Sequence, residues 1–282
     1  MCGRFALDAS RYEVAEQFHV DEVAEDSAPD DRRFNVAPSQ EVLAVASSRD
    51  GTVRRLGTFR WGLVPGWASD PSIGNRMINA RAETAPDKPA FRRAFERRRC
   101  LLPASGYYEW KSAEGGRRRK ASKVPYYFRR RDGLLLAIGG LWEVWHGDGD
   151  DEVLRTCTVL TTRANALGAE VHDRMPLLVP EHLWDRWLAP EPLTEEERLS
   201  AIAPAPEELL VAIRVSDAVN DPRNDGPELA QEVDAHEADD THEVPDTHEH
   251  GGLQDTHDAE PLEATTGEEG RVVVQALPIV GE

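Results

Sequence analysis

Six apolar runs of strand length constrain the possible fold more than any other feature of this chain. They are rich in β-branched and aromatic residues, are bounded by Gly, Asp or Pro, and lie at 41–47, 53–63, 124–130, 133–145, 154–162 and 208–216. Runs of this kind predict β-strands. Helical patterns occur between some of them, but without the regular strand–helix alternation of a parallel sheet. We therefore predict an α+β fold: a strand-rich single domain with a mostly antiparallel, barrel-like sheet and short peripheral helices.

Four short segments carry helical signals. One follows Ser10, and the others lie at 89–99, 181–188 and 194–202. Phe91 and Phe95 share one helical face in the second segment. In the last segment, Thr194 and Glu197 have the spacing of a capping box, which predicts a helix beginning just after Thr194.

The charge of the chain is distributed unevenly. The net charge is −19, yet residues 1–225 hold 36 acids and 32 bases, whereas residues 226–282 hold 16 acids and one Arg. Within 229–270 the apolar pattern vanishes and the triplet DTH recurs, so too little apolar surface remains to offset the entropy of ordering. We predict a folded domain at 1–228, a disordered acidic segment rich in His and Thr at 229–270, and a strand candidate at 271–282. The excess of acid is also typical of proteins adapted to concentrated salt.

The lengths of the apolar runs and the spacing of the cysteines limit the classes of protein to which this chain could belong. No run reaches the length of a membrane span, and the N-terminus lacks a secretory hydrophobic region, so we expect a soluble, intracellular protein. Three widely spaced cysteines favour neither a disulfide framework nor a zinc site. Cys100 and Cys157 lie in apolar runs and are predicted to be buried core thiols. Cys2 then remains as the thiol best placed for chemistry.

Cys2 directly follows the initiator Met1, in the sequence MCGRFAL. A small second residue generally permits removal of the initiator, which would leave a thiol and a free α-amine on adjacent carbons. With a pKa of about 7.7 to 8.0, such an amine is partly neutral, and therefore nucleophilic, near neutral pH. Taken alone, an N-terminal Cys is equally compatible with a residue of no consequence.

Five further stretches are polar, or punctuated by Gly and Pro, where packing alone does not require it. They are RFNVAPSQ (33–40), WGLVPGW (61–67), INARAET (78–84), SGYYEWK (105–111) and EVHDRMPLLV (170–179). Singly, each has a structural explanation, such as a turn, a surface charge or a loop cap. Together with MCGRF, and in this order, they closely resemble the SOS-response-associated peptidase family, also called abasic-site processing proteins. The resemblance runs to about Pro227 and includes a closing segment at 218–229, which is more acidic here than is usual in the family.

This resemblance implies the roles of individual residues. Cys2 would be the nucleophile, with active-site companions at Asn79, Glu109 and His172. DNA-binding residues would be three arginines on phosphates, an aromatic on exposed bases and a threonine near the site: Arg4, Arg81, Arg174, Trp67 and Thr161. The basic run 92–100 would extend this surface, although charge runs are commonly just solvated faces.

The same resemblance implies an activity and a partner. The activity is capture of abasic sites in single-stranded DNA as a covalent DNA–protein crosslink, and the peptidase label would refer to removal of Met1 and release of the crosslink. No metal or cofactor is implied. We expect a cytoplasmic monomer that joins the nucleoid when bound to DNA and has no membrane partner.

The implied chemistry is consistent with the residue types. An abasic sugar opens to an aldehyde, the α-amine forms a Schiff base with it, and the tethered thiol closes a five-membered thiazolidine. Glu109 would transfer protons if an apolar site flanked by Tyr108 and Trp110 raises its pKa. His172 is a second acid or base, and Asn79, which does not titrate, would orient the N-terminus or the aldehyde oxygen.

Three other hypotheses remain open at this point. The first is a glutamine amidohydrolase with an N-terminal nucleophile, whose members also begin Met-Cys-Gly. The second is a single-stranded DNA binding module in which Cys2 is incidental, and the third is a protease acting on other proteins. Glutamine hydrolysis, equal binding to intact and abasic strands, and cleavage of a protein substrate would respectively identify them.

Overall fold

The computed structural model describes residues 2–24, 32–112, 123–147 and 153–234. The chain divides into two units, 1–242 and 243–282, and all described residues belong to the first. The strands in the described residues are β1 (Phe5–Leu7), β2 (Glu22–Val23), β3 (Arg33–Val36), β4 (Glu41–Ser47), β5 (Arg54–Trp61), β6 (Asn79–Arg81), β7 (Arg99–Ala104), β8 (Gly106–Ser112), β9 (Lys123–Arg130), β10 (Leu136–His146), β11 (Val153–Arg163), β12 (Arg174–Pro176) and β13 (Leu210–Arg214). The α-helices are α1 (Arg11–Gln17), α2 (Arg92–Arg97), α3 (Ala166–Ala169), α4 (Trp184–Leu188) and α5 (Glu195–Ala201).

Five strands close into a ring. β5, β4, β7, β10 and β11 pair in this order as antiparallel neighbours. β11 then returns to pair with β5 in parallel, with Thr156 opposite Arg60 and Cys157 opposite Trp61. A second, open sheet has the order β13-β9-β8-β1-β3. The predicted strand-rich, barrel-like α+β fold is therefore confirmed.

The predicted elements coincide closely with observed ones. The six apolar runs correspond to β4, β5, β9, β10, β11 and β13, and the four helical segments contain α1, α2, α4 and α5. Thr194 accepts a hydrogen bond from the Glu197 backbone, and the Glu197 side chain accepts one from the Thr194 backbone, so the predicted capping box is present. Ser10 and Glu13 form an equivalent box at the start of α1.

The basic run 92–100 does not form a continuous basic surface. Arg99 belongs to β7, whose six residues are all buried. Its guanidinium donates hydrogen bonds to backbone carbonyls, including those of Trp187 at 2.6 Å and Phe95 at 2.6 Å. Burial lowers the pKa of Arg99 to about 10. This arginine therefore joins helices to the ring instead of facing a ligand.

One of the apolar clusters is formed by side chains of both sheets. It contains Phe5 and Phe128 from the open sheet and Trp61 from the ring. Cys100 and Cys157 lie in it with no exposed surface, which confirms the prediction that they are buried. Cys2 belongs to this same cluster. Its carbonyl oxygen accepts a hydrogen bond from Asn79 on β6, which pairs with β11, so the fold places Cys2 beside the ring.

The last described residues, 229–234, follow the predicted boundary of the domain at residue 228. Leu229 is fully buried, and the Val233 N–H donates to the carbonyl of Arg214 at 3.0 Å. The remainder of the predicted disordered segment and the strand candidate at 271–282 lie outside the described residues. None of the described helices is both long enough and apolar enough to cross a membrane.

Candidate active site

Cys2 is held against the ring by its own backbone. The Asn79 side-chain amide donates a hydrogen bond of 2.7 Å to the Cys2 carbonyl oxygen. Two residues later, the Arg4 carbonyl accepts a hydrogen bond of 3.0 Å from the Tyr108 N–H, just before β1 begins. The Cys2 side chain has no exposed surface. Burial, and next the charge of Glu109, raise the pKa of its thiol, so the sulfur is protonated at rest.

Asn79 owes its position to a short parallel pairing. β6 lies alongside β11 with Asn79 opposite Val159. The preceding loop approaches closely enough that a Cβ on Gly62 would lie 2.7 Å from the carbonyl oxygen of Gly74, and Gly62 has a φ of +135°. Only glycine fits that approach. The Asn79 Oδ1 atom is buried and has no hydrogen-bond partner. Since the amide nitrogen is already committed to Cys2, this oxygen remains as an acceptor beside the N-terminus.

Glu109 is a buried carboxyl group on β8, with only 3% of its surface exposed. Burial raises its pKa, and the positive charge of His172 partly opposes that shift. The flanking residues differ from those proposed from the sequence. Tyr108 packs in a different cluster, and Trp110 packs against that same cluster, because neighbours on a strand face opposite sides. The aromatic that shares the face of Glu109 is Tyr107, two residues before it.

His172 follows the short helix α3. Its N–H bonds to the Gly168 carbonyl at 2.9 Å, and its ring nitrogen Nδ1 accepts a hydrogen bond of 3.0 Å from the Arg174 N–H. In the neutral ring this arrangement places the proton on Nε2. In the protonated ring, Nδ1 lies 2.9 Å from the carboxylate of Asp173. The Nδ1 side of the ring is therefore held by the two residues that follow it in the chain.

Two of the three arginines expected to contact phosphate already have protein partners. The Arg174 guanidinium makes two hydrogen bonds to the Glu83 carboxylate, at 2.7 and 2.8 Å, and also reaches Thr161. Arg4 donates to Asn35 at 2.6 Å and to the Val219 carbonyl at 2.8 Å. Thr161 itself is buried. These residues hold the walls of the site, and a phosphate would have to compete with Glu83 for Arg174.

Trp67 and Arg81 have the opposite environment, and we call this pair the exposed rim. Trp67 has 66% of its surface exposed. It lies at the end of a loop that is anchored by a hydrogen bond of 3.1 Å from the Leu63 N–H to the Met77 carbonyl. Arg81 is exposed and lies two residues after Asn79 on the same strand. Alternation along a strand directs residues two apart to the same side, so Arg81 extends outward from the side that carries Asn79.

Asn35 has a structural role that sequence reasoning did not assign. Its side-chain amide reaches the carbonyls of Asp221 and Asn224 at 3.0 and 2.8 Å, and its N–H donates to Asp225 at 2.9 Å. The closing segment 218–229 is thereby attached to β3 and, through Arg4, to the N-terminus. The motif RFNVAPSQ thus joins the two ends of the domain. Only the quoted motif itself signalled this role, because the partners lie far away in sequence.

The described residues contain no group of three or more His, Cys, Asp or Glu side chains that could hold a metal ion. The side chains at the site are a buried thiol, a carboxyl group with a raised pKa, an imidazole and an amide. Asn79 is hydrogen-bonded to Cys2, and the charge of Glu109 acts on the Cys2 thiol. His172 interacts with them electrostatically through Glu109.

The chain is similar to known proteins over most of its length. Residues 1–222 match the family described as SOS response associated peptidase (SRAP). The chain is 38% identical to the abasic site processing protein YoqW of Bacillus subtilis over 231 residues, covering 82% of this chain and 99% of that one. It is 32% identical over 240 residues to the abasic site processing protein YedK of Escherichia coli, with 83% and 100% covered.

The fold also matches a solved structure. A crystal structure of a protein from Bacteroides thetaiotaomicron superimposes with a TM-score of 0.68, at 24% identity, over 82% of this chain and 100% of the other. This likeness concerns the fold alone.

Proposed function

Because the chain belongs to the SOS response associated peptidase family, we propose that it captures abasic sites in single-stranded DNA as a covalent crosslink to Cys2. The observation that carries this proposal is the buried placement of residue 2 beside Asn79 and Glu109. An incidental N-terminal cysteine would have no reason to be enclosed by polar side chains in an otherwise apolar cluster.

The reaction begins once Met1 has been removed, the step to which we assign the peptidase name of the family. The α-amine of Cys2 adds to the aldehyde of the opened sugar and loses water to form a Schiff base. The thiol, one carbon away, then closes a thiazolidine ring. Closure is favoured because the second nucleophile is already tethered to the first. A cysteine inside a chain lacks this amine and would form only a reversible hemithioacetal.

Proton transfers are assigned to Glu109 and His172. Glu109 retains its proton to a higher pH than an exposed carboxyl group, because burial raises its pKa. It can therefore donate that proton to the leaving water when the Schiff base forms. His172 exchanges protons through Nε2 and serves the sugar hydroxyl, whose proton must be moved for the ring to open.

Asn79 orients the nucleophiles. Its amide nitrogen holds the Cys2 carbonyl at 2.7 Å, and its partnerless Oδ1 faces the same region. We assign to Oδ1 a hydrogen bond from the mature α-amine. Such a bond would aim the nitrogen lone pair and satisfy an otherwise buried orphan acceptor.

Strand binding is assigned mainly to the exposed rim. Arg81 is available for a phosphate, and Trp67 offers a ring face on which any base can stack without regard to sequence. Arg4, Arg174 and Thr161 already have protein partners in the unbound protein. Their direct contact with DNA requires that they exchange the partners they have here.

The test combines purified protein with an oligonucleotide that carries a single abasic site, followed by a denaturing gel and intact mass measurement. We expect a shifted band whose mass equals the protein without Met1 plus the strand, less water. A matched strand with a reduced, aldehyde-free abasic residue should give no band. The proposal fails if the active protein retains Met1, or if acetylation of the N-terminal nitrogen leaves the yield unchanged.

A further inference from the structure

The buried hydroxyl of Tyr107 has no role in the chemistry described so far. Tyr107 is 1% exposed, and its ring stacks on Phe128 with centroids 4.9 Å apart. Its hydroxyl is buried without a hydrogen-bond partner. A phenylalanine would make the same stack without leaving a polar atom unsatisfied. The hydroxyl therefore requires an explanation other than packing.

Tyr107 shares a strand face with Glu109 and an apolar cluster with Cys2. It lies two residues before Glu109 on β8. Burial raises the pKa of Tyr107 well above its usual value, and the charges of Cys2 and Glu109 add to that shift. The phenol thus keeps its proton and is a hydrogen-bond donor at every pH at which the protein works.

We propose that the Tyr107 hydroxyl donates a hydrogen bond to the Cys2 sulfur while the thiazolidine closes, as a catalytic residue of that second step. This inference rests on the proposed function. The Arg4 backbone N–H already hydrogen-bonds this sulfur, yet burial still raises the pKa of the thiol. A second donor would further stabilise the negative charge that develops as the thiol loses its proton in a buried site.

The step balances without a further reagent. A sulfur lone pair forms the bond to the former aldehyde carbon, and the π pair of the C=N bond goes to nitrogen. The thiol proton ends on that nitrogen, so that S–H has added across C=N. Tyr107 keeps its own proton throughout, since it only hydrogen-bonds to the sulfur.

The experiment separates the two covalent steps in the Tyr107→Phe variant. Full-length matured protein is mixed with a strand carrying one abasic site, quenched at intervals with borohydride, denatured, and alkylated with iodoacetamide. A reduced Schiff base leaves three free thiols, those of Cys2, Cys100 and Cys157, whereas the closed ring leaves two. Mass spectrometry counts the alkyl groups on each adduct.

We expect Tyr107→Phe to form the Schiff base at a rate within twofold of the parent and to close the ring about tenfold more slowly. Adducts with three alkyl groups should then accumulate early and decline. Tyr108→Phe is the matched control, since that hydroxyl donates to the Phe34 carbonyl at 2.7 Å on the other face of β8. It should follow the parent time course.

Three results overturn the inference. The first is an identical proportion of three-alkyl and two-alkyl adducts in parent and variant at all times. The second is slow Schiff base formation without accumulation of three-alkyl adducts, which would mean that the hydroxyl acts in the first step. The third is an equal delay in Tyr108→Phe, which would indicate general loosening. A parent protein that forms no adduct refutes the proposed function itself, and so is distinguishable from all three.

Discussion

The buried cluster around Cys2 and the exposed rim of Trp67 and Arg81 have opposite physical character. In the cluster, Cys2 has no exposed surface and Glu109 has 3%. On the rim, Trp67 has 66% of its surface in contact with solvent. Protons and nucleophiles need a dry, fixed environment in which their pKa values can shift. Sequence-independent strand binding needs accessible charge and an open ring face.

This difference teaches that the covalent step and the affinity for DNA should be separable by substitution. Changes in the cluster should alter the rate of crosslinking and leave strand affinity nearly constant. Changes on the rim should do the reverse. A substitution that moves both properties together would break the comparison.

The largest effect is expected from Cys2→Ala. Loss of the thiol should abolish the thiazolidine adduct on a denaturing gel while leaving noncovalent strand affinity within a few-fold of the parent. Cys157→Ala is the control, because that thiol is equally buried but lies within the ring strands. It should crosslink normally with a lower melting temperature. Loss of strand affinity in Cys2→Ala would show that the cluster also binds DNA.

Glu109→Gln should produce the next largest effect. Removal of a general acid typically costs about 100-fold or more in rate, so crosslinking should slow by roughly two orders of magnitude. Strand affinity, measured by fluorescence anisotropy with an undamaged oligonucleotide, should stay unchanged. A variant that crosslinks at the parent rate would remove Glu109 from the proton transfers.

Trp67→Ala should weaken strand binding about tenfold, since stacking on one base contributes on the order of 1–3 kcal/mol. The rate of crosslinking at saturating DNA should not change. Trp67→Phe keeps a ring face and should recover most of the affinity. A lower saturating rate in Trp67→Ala would mean that the rim also aligns the sugar.

Arg81→Ala should have a smaller effect that depends on salt. One lost phosphate contact weakens binding a few-fold and lowers the slope of log affinity against log salt by about 0.7 for a single strand. Titrations at several salt concentrations measure that slope. Arg174→Ala provides the comparison. The Arg174 guanidinium is paired with Glu83, so this substitution should lower the melting temperature instead of the salt slope. An unchanged slope in Arg81→Ala would exclude phosphate contact.

The smallest effect concerns stability and pH. Burial raises the pKa of Glu109 in the folded chain above its unfolded value, so the folded state binds this proton more tightly. The stability contributed by the protonated form is complete below the unfolded pKa of about 4.3 and is lost as pH rises through the folded pKa. Glu109→Gln should therefore melt a few degrees higher than the parent at pH 8, and the two should converge near pH 4. A constant difference across this range would contradict the shift.

Much of the fold could be predicted because its signals are local. The strand at 41–47 was predicted with its observed bounds, since an apolar run ends there at Ser and begins after Gln. The capping box at Thr194 depends on two residues only three positions apart. The sequence of β7 gave no comparable strand signal. It contains Pro103, which lacks a backbone N–H, and the charged Arg99, although all six of its residues are buried.

The site was less predictable because its contacts are long-range. The motifs indicated which residues matter, yet not that Arg174 pairs with Glu83 across 91 positions or that Arg4 reaches Val219 across 215. Tyr108 does not flank Glu109, and here a local rule would have been sufficient. Period-two alternation on a strand already places Tyr107 on the side of Glu109.

The residues of the candidate site are far apart in the sequence, and this separation has a consequence for biosynthesis. Its parts, Cys2, Asn79, Glu109 and His172, leave the ribosome at very different times, and β11, which pairs with the strand of Asn79, emerges after Glu109 and before His172. At about 5–20 residues per second, roughly 10–30 s pass between the emergence of the first residue and the last of these. During that interval the nascent N-terminus is open to a processing aminopeptidase. Afterwards Cys2, the residue next to the scissile bond, is enclosed, so a separate enzyme would have to act before folding is complete, whereas the self-removal proposed above could follow it.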